Sequence, residues 1–152
     1  MKILNFFIIA FLFININCFA AGNYETNNAK DTDVVYSEAL KLINKKDYNL
    51  AIPKLKKLLN KESTYFSKAD IYNYLGYSHR KIKKYKKAEK YYTKALKIKK
   101  DHIGALEYIG ELYIETDKIE KAKEYLEKLK LAAGEDSIEY VQLYSLIHRI
   151  SP

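Results

Sequence analysis

A spacing of 34 residues constrains this chain more than any other feature. Leu75-Gly76 recurs as Ile109-Gly110, Tyr85 as Ile119, Ala88 as Ala122 and Tyr92 as Leu126. A period of that length belongs to a supersecondary unit repeated along the chain, each copy too small to bury its own apolar face. Glycine and proline are scarce, with five and two copies. After Asp31 the apolar residues follow a helical period broken by short polar turns, so the units read as helix pairs.

The residue types within a copy explain the packing. A helical glycine costs about 1 kcal/mol relative to alanine, so Gly76 and Gly110 must return that cost by letting a facing helix approach closely. Ala88, Ala95 and Ala122 do the same from the other side. Leu75, Tyr92, Ile109 and Leu126 then fill the space between hairpins, and Tyr72, Tyr85 and Tyr113 join them as packing residues. About three stacked copies are needed for a stable core.

These residues resemble a tetratricopeptide repeat. The family pattern of aromatic, Leu-Gly and Tyr, then Ala and aromatic, is met by Tyr72, Leu75, Gly76, His79, Ala88 and Tyr92. It is met again by Leu106, Ile109, Gly110, Tyr113, Ala122 and Leu126, and in degenerate form by Ala39, Leu42, Tyr48, Ala51 and Leu55. Ala51 lies 37 residues before Ala88, which places three extra residues between Lys61 and Ser67. His79 departs from the usual Tyr, Ala39 from Gly, and Lys100 and Gly134 from Pro.

The resemblance implies an all-α fold, a right-handed superhelical stack of antiparallel helix hairpins. The repeats span about 32–66, 69–102 and 103–134, with a capping helix at 136–150. That helix would be started by Asp136 or Ser137 and would bury Ile138, Val141, Tyr144 and Ile147 or Ile150 as its apolar stripe. Residues 21–31, with Asn23, Asn27 and Asn28, show no periodicity and read as a flexible lead-in.

Residues 1–20 read as a signal peptide. Lys2 precedes the apolar run Ile3 to Ile14, and Cys18 and Ala20 occupy the small-residue cleavage positions. A retained anchor and a lipoprotein joined through Cys18 are the alternatives. Export to a bacterial periplasm follows, with secretion as the other destination. The single cysteine, Cys18, would leave with the leader, so no disulfide or thiolate site is expected.

The family's usual mode of action is binding a peptide along the concave face of the first helices. Tyr36, Asn73, Tyr77, Glu107 and Glu111 fall on that face, aromatic and amide at one end and acidic at the other. Relatives that hold acidic chaperone tails use a basic and amide clamp. The matching positions here are Tyr36, Leu40, Tyr74, Gly104 and Tyr108, which cannot clamp a carboxylate by charge. The implied function is a noncatalytic adaptor for a protein or peptide.

Charge supports a second reading. Residues 80–100 hold eleven Lys or Arg against the single Glu89, whereas residues 101–152 hold six against eleven Asp or Glu. Lys83, Lys87, Lys90, Lys94 and Lys97 form a stripe on the second helix of the middle repeat, suited to an anionic membrane surface or polymer. Glu120 and Glu124 stand one repeat after Lys86 and Lys90, where neighbouring outer helices would partly neutralise one another. Nucleic acid is disfavoured, because no motif of defined docking geometry is present. Oligomeric state is not legible.

Catalytic chemistry finds no support. His79, His102 and His148 lack metal-pair spacing, and there is no His-Glu-x-x-His, glycine-rich phosphate loop or Gly-x-Ser-x-Gly. Neither a metal nor a cofactor is implied.

Overall fold

The structure is a computed structural model that describes the backbone of residues 17–150 and the side chains of residues 31–150. Seven helices follow in order: α1 (Asn17–Asn44), α2 (Tyr48–Leu58), α3 (Lys68–Lys81), α4 (Tyr85–Ile98), α5 (Ile103–Glu115), α6 (Ile119–Ala133) and α7 (Ile138–Ile150). Among the described residues there is no strand.

The repeat is clearest at the turns inside each hairpin. Lys46, Lys83 and Asp117 all take left-handed backbone, with φ of 65°, 59° and 59°. The next residue's amide then closes each turn with a 2.8 Å bond: Asp47 to Leu42 O, Lys84 to His79 O, and Lys118 to Tyr113 O. This is a Schellman-type ending, in which the chain reverses while capping the last carbonyls of the first helix. One backbone solution repeated three times brings α2 back on α1, α4 on α3 and α6 on α5.

Between hairpins the chain is held differently. Ser67 caps α3 in a capping box: its Oγ accepts from the Asp70 amide at 3.2 Å, and Asp70 Oδ2 accepts from the Ser67 amide at 2.7 Å. Asp70 Oδ1 also lies 3.1 Å from His102 Nε2, while His102 Nδ1 accepts from the Ala105 amide at 3.2 Å and caps α5. The N-termini of two successive first helices are therefore tied together. The longer connection from Leu59 to Ser67 is pinned by buried Phe66, whose ring lies 4.5 Å from that of Tyr36.

The core runs along the stack as two clusters. Ala39, Ala51, Leu55, Ile71 and Leu75 belong to the first; Ala88, Tyr92, Leu106, Ile109, Ala122, Leu126 and Leu143 belong to the second. Gly76 meets Tyr92: a Cβ there would lie 2.5 Å from two ring carbons. Gly110 meets Leu143 of α7, also at 2.5 Å, so this glycine seats the capping helix.

Three expectations are corrected. The backbone of residues 21–31 is helical, because α1 starts at Asn17; helix propagation from the packed part of α1 overrides weak local propensity. In α7 the buried face is Leu143 and Ile147, with Tyr140 packed against the core. Ile138, Val141, Tyr144 and Ile150 are exposed, Ile138 at 71%. The helix carries two overlapping apolar stripes, and the notch at Gly110 selects the one containing Leu143. Third, Glu120 pairs with Lys123 of its own helix, and no lysine of α4 forms an ion pair among the described residues. The leader assigned to residues 1–20 lies largely outside the described residues. No described helix is long and apolar enough to cross a membrane.

Candidate functional site

The first helices of successive hairpins, α3 and α5, lie side by side, with α7 against α5. Their shared face carries most of the residues expected to bind a partner. Asn73 is only 5% exposed and stands beside Gly104, where a Cβ would lie 3.1 Å from Asn73 Nδ2. Its Oδ1 has no hydrogen-bond partner. One turn along, half-buried Tyr77 sets its ring 5.1 Å from Tyr108 and 6.0 Å from Tyr48. Tyr36 contributes from α1, its ring 6.3 Å from Tyr74. An open cavity of about 640 Å³ lies along that end, lined by Tyr36, Leu40 and the exposed Tyr65.

The acidic end is built around a residue that the sequence reading passed over. Arg80 is 2% exposed and ion-pairs with Glu111 and, at 2.7 Å, with Glu115. Its guanidinium lies 5.7 Å from the Tyr77 ring centre and 5.6 Å from that of Tyr108, within cation–π range. Burial opposes its charge, but Tyr92, Glu111 and Glu115 outweigh burial and hold its pKa above the ordinary value. In the sequence Arg80 is one of a dense run of cations and looks like a solvated one. The signal that could have found it is the acid pair 31 and 35 residues on, one repeat away on the adjacent inner helix.

Glu107 is 5% exposed and makes no hydrogen bond or ion pair among the described residues. Burial pushes its carboxyl up to about 7, with Glu111 and Glu139 adding to the effect and Arg80 opposing it. Tyr108 is pushed up to about 12, by burial first and by Glu107 next. The face therefore gathers Asn73, Tyr77, Glu107 and Glu111, with Tyr36 on the flanking helix.

The basic stripe is less regular than its spacing implies. Lys83 is the left-handed turn residue, not part of α4. Lys87, Lys90 and Lys97 are exposed, whereas Lys94 is half-buried with Nζ 5.1 Å over Tyr72 and 5.9 Å over Tyr91. A second cavity of about 480 Å³ lies between the turns at Lys83 and Asp117. Lys83, Lys84, Lys86, Lys87 and Lys118 line it, together with Tyr113, whose hydroxyl donates to Glu89 at 2.8 Å. Among the described residues no group of three or more His, Cys, Asp or Glu could hold a metal ion.

Paired helices, one shared inner face and one turn geometry repeated at a near-constant interval define a helical-repeat solenoid. The family comparison gives it a name: residues 82–147 match the tetratricopeptide repeat model, and the stack as a whole has the tetratricopeptide-repeat fold. The chain is similar to the first repeat domain of Spaghetti (RPAP3) bound to the HSP90 peptide SRMEEVD, with 17% identity, a TM-score of 0.67, and 82% of this chain and 96% of that one covered. The second such domain of human RPAP3, in complex with the HSP70 peptide SGPTIEEVD, shares 20% identity, a TM-score of 0.65 and coverage of 81% and 97%. The corresponding domain of Arabidopsis OM64 gives 14%, 0.68, and 81% and 98%. No curated protein matches the sequence.

Proposed function

We propose that this protein is a noncatalytic adaptor that binds a peptide or protein segment along the face formed by α1, α3, α5 and α7. The observation that carries this reading is the unsatisfied polarity of that face. Asn73 Oδ1 is buried without a hydrogen-bond partner, and Glu107, 5% exposed as a residue, has no ion-pair partner among the described residues; partly exposed Tyr77 and Tyr108 stand beside them. Buried polar groups without partners are costly, and an incoming backbone would supply the missing bonds. Structural neighbours solved with bound peptides support the mode. The chemistry differs from theirs: those peptides end in acidic residues, whereas Glu107, Glu111 and Glu115 line this face and suit a segment presenting cations. The setting we assign is the cell envelope, on the leader-like residues 1–20.

The test is affinity capture from a native envelope extract with the full chain, beside two variants. Asn73→Ala with Tyr77→Leu should lose the partner; Lys83, Lys87, Lys90 and Lys94→Glu should keep it. Circular dichroism checks that each variant is folded. Capture that follows the lysines instead would remove the adaptor reading. It would favour the alternative, attachment to an anionic surface or polymer, for which the five-lysine cavity is the specific observation. That mode weakens steeply as salt rises.

A further inference from the structure

We propose that a small cavity between α2, α3 and α4, floored by His79, binds a tetrahedral oxyanion of the phosphate class. The cavity measures about 170 Å³ and is lined by Lys56, His79, Lys87, Lys90, Tyr91 and Lys94. A tetrahedral oxyanion, with five heavy atoms, is small enough for a space of that size.

Two independent features converge there. The first is an unbalanced charge: four lysines from two helices line one cavity, no acidic residue lines it, and none of the four forms an ion pair among the described residues. Like charges brought together repel, and a bound anion would turn that repulsion into charge-assisted hydrogen bonds. The second is His79 itself, 4% exposed, with neither ring nitrogen hydrogen-bonded. Its ring lies parallel to that of Tyr91, 4° apart in plane with centres 5.3 Å apart, and Tyr91 also lies under Lys94. A buried imidazole without a partner needs an explanation, and an oxygen acceptor among the lysines provides one.

The comparison between repeats sharpens this. Tyr113 holds the position of His79 one repeat later, and there the hydroxyl donates to Glu89. The residue 37 positions before Glu89, the matching place in the first hairpin, is the apolar Ile52. The middle repeat has therefore replaced an internal tyrosine–glutamate bond with an unpaired imidazole facing lysines. Burial, then Lys87, Lys56 and Lys84, push the His79 pKa down to about 4, so without an anion the ring is neutral. A bound oxyanion would raise that value by accepting from the ring N–H.

The proposal is independent of the adaptor reading. Its test titrates the full chain with inorganic phosphate at constant ionic strength, chloride making up the difference, and follows the His79 ring signals by NMR. A second arm uses phosphatidylcholine vesicles with and without phosphatidic acid. We expect saturable movement of the His79 signals in phosphate, and a melting temperature about 4 °C higher at ten times the dissociation constant. Lys87→Gln and Lys90→Gln, both at exposed positions, should each weaken binding about fivefold, and His79→Phe should weaken it further. Binding to phosphatidic acid vesicles alone, with the same variant pattern, would identify a lipid headgroup as the source. If chloride produces the same change, if neither arm binds, or if the lysine variants bind like wild type, the proposal is overturned.

Discussion

Glu107 links the stability of this protein to its proposed binding face, and its replacement by glutamine gives a quantitative test. Burial first, then Glu111 of its own helix and Glu139 of α7, push the carboxyl from 4.5 up to about 7, with Arg80 of α3 opposing them. The folded state therefore holds a proton that the unfolded chain has already released. Its favourable contribution is complete below pH 4.5 and is lost as pH rises through 7. One pKa unit corresponds to about 1.4 kcal/mol, which sets a ceiling of about 3 kcal/mol; solvent reaching the open face reduces this to about 1–3 kcal/mol. Glu107→Gln keeps the shape and removes the charge. It should leave stability nearly unchanged at pH 4.5 and raise it by about 1–3 kcal/mol at pH 8. Urea denaturation of both proteins at half-unit pH intervals measures the difference, in which titrations common to both cancel. A variant less stable at pH 8, or one whose effect does not change with pH, would refute the assignment. If the face takes a cationic segment, the same variant binds it more weakly while folding more tightly.

Other outcomes follow from packing and capping. Gly76→Ala should destabilise by about 1–2 kcal/mol in chemical denaturation, since the new methyl meets the buried Tyr92 ring at 2.5 Å and the strain exceeds the helical gain. Gly110→Ala should cost less, because what it meets is the end of the flexible Leu143 side chain. Arg80→Met should cost about 2–4 kcal/mol, leaving Glu111 and Glu115 without their partner, and a thermal melt of the variant beside the wild type reads this. Ser67→Ala should lower stability by about 1 kcal/mol through loss of the capping box, seen as a lower urea midpoint with an unchanged slope.

Much of this architecture could be read before the structure, and the reason is local. Helix pairs announce themselves through a 3.6-residue period, and the 34-residue spacing of Gly76 with Gly110 and Ala88 with Ala122 ties one hairpin to the next. The left-handed turns were not legible, because Lys46, Lys83 and Asp117 are not the glycines or asparagines that usually mark such turns. Asn73, Tyr77, Glu107 and Glu111 could be placed on one face from their repeat positions alone. Their burial and missing partners could not, since those depend on which neighbouring helix lies within reach.

The sequence by itself determined the repeat, the hairpins and the side of each hairpin that packs, because these are set by residues a turn or one repeat apart. Tertiary structure decided the rest. Only packing against Gly110 selects which of the two apolar stripes of α7 is buried, and only the approach of α5 to α3 makes Arg80 an ion-pair hub instead of one more surface cation. The same approach leaves Glu107 without a partner, while α2 and α4 close around His79. Charge and burial at these points depend on distances between helices, which periodicity along one chain does not encode.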